Sequence, residues 1–255
     1  MATEPAVLVT RPEGQAGPLC EALTSAGFLP WHQPLLELHA LPALAGAERQ
    51  KVLDLDLYQH VIFISANAVR FGMGLIEDYW PQLPVSVSWY AIGGSTAKLL
   101  EDRGLDPITP GRDMSSEGLL AVQSLAQVSG ERVLIIKGQG GRDTLRKRLS
   151  ARGARVDELA CYRRSCPQLS AGEMGQILAG RQIQAILLSS GEGLENLLAL
   201  LSGEETTKFR DIGLVVPSLR VEKMAREAGF TQVFTAANAS DEEMLAALQQ
   251  WRCGE

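Results

Sequence analysis

Six short stretches of this 255-residue chain hold the side chains best placed to do chemistry, and each follows an apolar run of β-type residues. They are Thr10-Arg11, Ser65-Ala66-Asn67, Gly93-Gly94-Ser95-Thr96, Lys137-Gly138, Ser189-Ser190 and Pro217-Ser218-Leu219-Arg220. Together they offer hydroxyls, glycine-rich backbone amides and the cations Arg11, Lys137 and Arg220. They include no histidine, no cysteine and no pair of carboxylates, which equips them poorly for hydrolysis or metal chemistry. Guanidinium, hydroxyl and amide groups are the ones that hold carboxylates and phosphates through charge-assisted hydrogen bonds.

More demanding chemistries fail on particular residues. Gly138-Gln139-Gly140-Gly141-Arg142-Asp143 resembles a dinucleotide-binding turn, but Asp143 replaces the third glycine and would repel a pyrophosphate. An ordinary strand–helix turn is the favoured reading there. Gly93-Gly94-Ser95-Thr96-Ala97 misses the nucleophile elbow by its last glycine. No histidine follows Ser65, because His32, His39 and His60 are the only three, so a Ser–acid–His order is absent. Cys20, Cys161, Cys166 and Cys253 lack metal-ligand spacing and are expected as reduced, structural thiols. Arg142, Arg146, Lys147, Arg148, Arg152 and Arg155 crowd one helix and are expected on a solvated face. Tyr162 has two readings, as packing or as a phenolic proton donor if its strand faces a cleft.

The net charge of −6 and pI near 5.3 argue against a nucleic-acid partner, though not against a small anionic ligand. The longest apolar stretch, 35–47, is interrupted by Glu37 and Pro42 and is too short to cross a bilayer. The first residues show no basic-then-apolar secretory pattern, so a soluble, cytoplasmic protein is expected.

The elements that must position these residues come in two copies. Val7-Leu8-Val9-Thr10-Arg11, a glycine turn, a helix with Leu19 and Leu23, and a stop at Gly27 recur 126 residues later. The second copy is Val133-Leu134-Ile135-Ile136-Lys137, Leu145, Leu149 and Gly153. Further on, 60–67 aligns with 184–191 and 89–104 with 214–229. Ser116 and Ser240 each open a closing helix as capping hydroxyls. Strands alternating with helices predict an α/β fold with parallel sheets, in two similar domains that arose by internal duplication. The extended stretches 31–39 and 158–166 occupy matching places and are candidate linkers. Periodicity leaves open whether the domains are consecutive or exchange segments.

The chain resembles uroporphyrinogen-III synthases through Val7-Leu8-Val9-Thr10-Arg11-Pro12, Phe63-Ile64-Ser65-Ala66-Asn67, Ala91-Ile92-Gly93-Gly94-Ser95-Thr96, Ser116-Glu117-Gly118-Leu119-Leu120, Val133 to Gly138, and Ala160-Cys161-Tyr162-Arg163. No one motif is specific; their order and spacing carry the resemblance. It implies two α/β domains joined by a two-stranded linker ladder. One would comprise 1–30 with 167–255 and the other 40–157, with 31–39 and 158–166 as the linker strands. It implies a cofactor-free, cyclising hydro-lyase that converts hydroxymethylbilane to uroporphyrinogen III through a spiro intermediate, inverting the terminal pyrrole.

The same resemblance makes Tyr162 and Thr96 the expected catalytic residues, with simple capping an open alternative for Thr96. The expected substrate-binding set is Arg11, Ser65, Ala66, Asn67, Gly93, Gly94, Lys137, Gly138, Ser189, Ser190, Ser218 and Arg220, with no metal. Some relatives carry a second threonine where Leu219 stands, so its role would fall to Ser218. The two linkers predict a hinge. The expected partners are the substrate and, transiently, the hydroxymethylbilane synthase that supplies it; nucleic acid and membrane are not expected, and the chain is expected to be a monomer. The rival readings are a non-catalytic binding or regulatory module for a polyanionic small ligand and a nucleotide-dependent transferase.

Overall fold

The computed structural model describes residues 4–42, 44–111 and 113–254. The chain divides into two compact units, Met1–Leu38 with Ser165–Glu255, and His39–Arg164. The strands are β1 (Ala6–Val9), β2 (Leu29–His32), β3 (Glu37–Ala40), β4 (His60–Phe63), β5 (Ser88–Ala91), β6 (Arg132–Gly138), β7 (Arg155–Ser165), β8 (Ala185–Leu187), β9 (Gly213–Val216) and β10 (Val233–Thr235). The helices are α1 (Gly17–Ser25), α2 (Gly46–Leu53), α3 (Ala66–Glu77), α4 (Gly94–Glu101), α5 (Ser116–Leu120), α6 (Thr144–Ala151), α7 (Glu173–Gly180), α8 (Gly191–Leu200), α9 (Gly203–Lys208), α10 (Leu219–Glu227) and α11 (Asp241–Cys253).

The discontinuous unit holds a five-stranded sheet in the order β10-β9-β8-β1-β2, and its paired strands are parallel. Its central strands β1, β8 and β9 are apolar throughout because helices cover both faces. Leu8, Ile186, Leu214 and Val216 pack with residues of α7, α8 and α10. The alternate residues Val7, Val9, Leu187 and Val215 pack with α1 and α11. The other sheet, β3-β7-β6-β4-β5, repeats four of these strands, β7-β6-β4-β5 matching β2-β1-β8-β9, with β3 added at the β7 edge, and Val133 and Ile135 pack against Leu145 and Leu149 of α6. On the opposite face α3 lies so close to β6 that a Cβ at Gly72 would stand 2.4 Å from Ile136 Cγ2.

The duplication is visible in the backbone, with one change to the expected alignment. Val7 pairs with Ala185 as Val133 pairs with His60, so the second strands are offset by 125 residues. Gln59 therefore corresponds to Gln184, and Ser65 to Ser190 rather than Ser189. Their shared backbone bonds agree: the Gln59 carbonyl accepts from Ser88 and the Gln184 carbonyl from Gly213. Gly27 and Gly153 follow α1 and α6 with φ of 77° and 88°, left-handed positions where glycine carries no Cβ penalty. Ser115, not Ser116, caps α5, and Ser240 caps α11. Each such cap contributes about 1 kcal/mol.

Both stretches expected as linkers contain regular strand. Residues 31–32 belong to β2, which runs beside β1, and 158–165 continue β7, which pairs with β6. Arg146 and Arg152 depart from the expected solvated face of α6. Arg146 bonds Asp143 (3.0 Å), and Arg152 donates to the carbonyls of Leu120 (2.8 Å) and Leu125 (2.7 Å). Arg142, Lys147, Arg148 and Arg155 are exposed as expected.

Candidate active site

Tyr162 takes its place from an irregularity between β6 and β7. Partners run in step from Arg132 and Arg155 to Lys137 and Ala160, and then Gly138 pairs with Tyr162, leaving Cys161 as the extra residue of a bulge. Consecutive strand residues normally face opposite ways, and a bulge re-aims them. Here both side chains meet α3. Cys161 Sγ lies 3.7 Å from the Ala68 carbonyl, and the Tyr162 ring stacks on Phe71 at 5.3 Å between centroids and 22° between planes. The phenol end of the ring also lies against Gly138, where a Cβ would stand 2.6 Å from Tyr162 Cζ. Burial pushes the Cys161 thiol up to about 12, so it fills space without acting as a nucleophile.

The phenol ends beside the turn from β4 to α3. Tyr162 Oη and Ser65 Oγ are 3.2 Å apart, and Ser65 Oγ also accepts the Ala68 N–H at 3.0 Å as the cap of α3. Tyr162 is only 4% exposed. Asn67 Oδ1 accepts from Arg70 at 2.9 Å on the first turn of α3, just after Ala66. The next strand end presents Gly93 and Gly94 beside Met114, where Cβ atoms would make ordinary contacts with its Sδ at 3.9 Å and its Cε at 3.7 Å. Gly93 is the cap of α4, so Thr96 sits three residues inside the helix, buried, and does not cap it.

Lys137 belongs to a different environment. It is buried, and its Nζ bonds Glu158 Oε1 at 3.1 Å, beside Arg146 at 3.7 Å from the other oxygen of that carboxylate. Its neighbour Ile136 meets α3 at Gly72, so alternation sends Lys137 to the other face of the sheet, where Arg146 of α6 lies. The cation is already neutralised.

In the discontinuous unit the expected residues line up along the ends of β1, β8 and β9. Thr10 Oγ1 donates to the Leu187 carbonyl at 2.7 Å, tying two strand ends together. Arg11 donates to the Ala239 carbonyl at 2.7 Å and forms an ion pair with Asp241 at the start of α11. Ser189 precedes Ser190, whose Oγ caps α8 by accepting the Gly193 N–H at 3.1 Å. Ser218 begins α10 without a side-chain cap bond, and Leu219 beside it is 76% exposed. Arg220 reaches across to Gly191, where a Cβ would lie 3.1 Å from its guanidinium nitrogens, and it contacts the Met224 sulfur at 3.3 Å. It meets no carboxylate among the described residues. Ser218 and Arg220 border an open groove of about 710 Å³ whose far side carries Thr235, Glu243 and Gln250.

The geometry therefore gathers Ser65, Gly138 and Tyr162 on one unit, and Ser189, Ser190, Ser218 and Arg220 on the other. Among the described residues, no group of three or more histidines, cysteines and acids is arranged to hold a metal. Among the described residues, no helix is long and apolar enough to cross a membrane.

A family model described as uroporphyrinogen-III synthase HemD matches residues 18–246. The chain belongs to the uroporphyrinogen-III synthase family. It is 32% identical over 251 residues to the uroporphyrinogen-III synthase of Escherichia coli K12, covering 95% of this chain and 99% of that one. It is 32% identical over 249 residues to the Salmonella typhimurium synthase. The fold is shared with a mutant uroporphyrinogen III synthase of Thermus thermophilus (TM-score 0.63, 19% identity, 98% of this chain and 100% of that one). It is shared too with the uroporphyrinogen-III synthetase of Helicobacter pylori (TM-score 0.61, 14% identity, with the same coverage).

Every candidate residue of the uroporphyrinogen-III synthase reading except Arg11 lies inside the matched segment. One residue in the geometry has no counterpart among the sequence candidates. Phe71 sits on α3 off the buried stripe of Ala68, Val69, Gly72, Met73 and Ile76, and an aromatic displaced from the core face is the only signal that marks it.

Proposed function

We propose that this chain is a uroporphyrinogen-III synthase, a cyclising lyase of tetrapyrrole biosynthesis that takes hydroxymethylbilane to uroporphyrinogen III with no cofactor. The observation that carries the proposal is the bulge that turns Tyr162 onto Ser65 and Gly138 at the carboxyl end of β6, in a chain of this family. Parallel α/β sheets collect their ligands at that edge.

In this reading the Tyr162 phenol gives its proton to the hydroxymethyl oxygen, which leaves as water with the carbon–oxygen electron pair. The resonance-stabilised cation is attacked by the substituted carbon of the terminal pyrrole, forming the spiro intermediate. Fragmentation and reclosure invert that ring, and the proton lost on re-aromatisation returns to the phenolate. The same cation closes without inversion when left alone, so the protein's work is mainly to hold the chain in the inverting geometry, and oriented reactants supply much of an enzyme's advantage.

The substrate's eight carboxylates need donors. Arg11 and Lys137 already meet Asp241 and Glu158, which leaves Arg220 as the freer cation. The hydroxyls of Ser189, Ser190 and Ser218, and the amides near Asn67, Gly93 and Gly94, complete the donor set. Thr96 is buried inside α4 and supports that turn. The protein acts as a cytoplasmic monomer and receives its labile substrate in a transient handover from hydroxymethylbilane synthase. Expression in a bacterial strain lacking its own synthase tests the proposal: growth without added haem is expected, and no growth from a well-expressed, folded chain would overturn it.

A further inference from the structure

We infer that Ser65 is a positioning residue that makes Tyr162 a proton donor, and that it acts through the phenol rather than on the substrate. The inference rests on the proton-donor reading of Tyr162 given above. It follows from counting hydrogens around two oxygens. A serine hydroxyl has one proton and two lone pairs. Ser65 Oγ spends one lone pair on the Ala68 N–H at 3.0 Å, and Tyr162 Oη stands 3.2 Å away.

Two arrangements satisfy that geometry. If Tyr162 donated to Ser65, its only proton would be committed, and the phenol would have none for a substrate. If Ser65 donates to Tyr162, the run Ala68 N–H to Ser65 O–H to Tyr162 O–H points outward, and the last proton is free. The second arrangement also stabilises the phenolate left after transfer. That anion would be buried, and it would then accept a hydrogen bond from a hydroxyl polarised by the N-terminus of the 12-residue helix α3.

The rest of the pocket keeps the phenol in register. Phe71 stacks on the ring and the backbone of Gly138 lies close against its phenol end, so the ring cannot swing out of reach of Ser65 without losing both contacts. Ser65 thus joins the helix start to the acid: the bond that caps α3 also opens the relay.

Three Ser65 variants separate the relay from the cap. Ser65→Gly removes the hydroxyl at little cost to a helix cap, Ser65→Ala removes it at a larger cost, and Ser65→Thr keeps it. Purified enzymes are assayed for turnover, KM and the ratio of uroporphyrin III to I, with thermal melting in parallel. The expected result is an equal loss of turnover in Ser65→Gly and Ser65→Ala, about five- to tenfold as for one hydrogen bond. KM should stay constant, melting should fall further in Ser65→Ala, and Ser65→Thr should sit near the parent. In a Tyr162→Phe background, Ser65→Gly should cost less than twofold more, since the residue acts only through the phenol.

Parent-level turnover in Ser65→Gly would overturn the inference, and so would the same loss with and without the phenol. If Tyr162→Phe alone keeps parent turnover, the proton-donor reading falls and takes this inference with it. Loss of turnover confined to Tyr162→Phe would overturn the relay while leaving the donor in place.

Discussion

Replacing Gly138 by alanine isolates what the close approach of Tyr162 to β6 is for. The backbone at Gly138 needs no left-handed conformation, so an added methyl group acts through space alone. It would stand 2.6 Å from Tyr162 Cζ, 2.9 Å from Cε2 and 3.0 Å from Oη. Ordinary carbon contacts lie near 3.5–4.0 Å, so the ring must retreat by about 1 Å. Phe71 blocks one direction, and the 3.2 Å contact to Ser65 lengthens in the others. Overpacking of this size costs about 1–3 kcal/mol of stability, and a 1 Å displacement of a reacting group costs on the order of a hundredfold in rate. The assay is turnover of hydroxymethylbilane generated in place, paired with urea denaturation. Gly138→Ala should lose about a hundredfold in turnover and about 1–3 kcal/mol in stability. In a Tyr162→Ala background, which has no ring to displace, Gly138→Ala should cost little further stability and no further turnover. A Gly138→Ala enzyme with parent turnover and parent stability would refute the placement of Tyr162.

Other expectations follow from the same packing and charge arguments. Gly72→Ala would set a methyl 2.4 Å from Ile136 Cγ2 and should cost about 1–3 kcal/mol in urea denaturation, and less in an Ile136→Ala background, which lacks that atom. In a native thiol titration at pH 8, exposed Cys253 should react first. Buried Cys161, its thiol pushed up to about 12, should react only on unfolding. The Glu222 carboxyl is held below its ordinary 4.5 by hydrogen bonds from Thr235 and Arg226, against the opposing pull of desolvation. Its folded form therefore binds a proton less readily than its unfolded form. The stability it contributes is full above pH 4.5 and is lost as the pH falls through the depressed value. Urea midpoints of the parent and Glu222→Gln should differ at pH 7 and converge in acid.

Local signals and distant contacts divide this molecule cleanly. The strands β1, β4, β6, β8 and β9 were legible as apolar runs because helices bury both their faces. Gly27 and Gly153 were legible as helix stops because the left-handed backbone there favours glycine. The offset between the copies was misjudged at Ser189 by one residue, since two adjacent serines offer the same chemistry and only the ladder fixes which of them caps α8. Arg11 and Lys137 looked like free cations at strand ends. Their neutralising partners, Asp241 and Glu158, lie far along the chain, where no local pattern marks them. Tyr162 was legible as a residue but not as a geometry. The bulge at Cys161 and the bare backbone of Gly138 act together only once β6 and β7 are paired. Phe71 was missed for the same reason.

The measurement that bears most directly on the central claim is the isomer made by the purified protein. Hydroxymethylbilane is generated in place, the protein is added without cofactor, and the oxidised products are separated into uroporphyrins I and III. The account predicts isomer III in large excess, falling toward isomer I as turnover is lost in Gly138→Ala. Isomer I at the level of the enzyme-free control, from a protein shown to be folded, would contradict it.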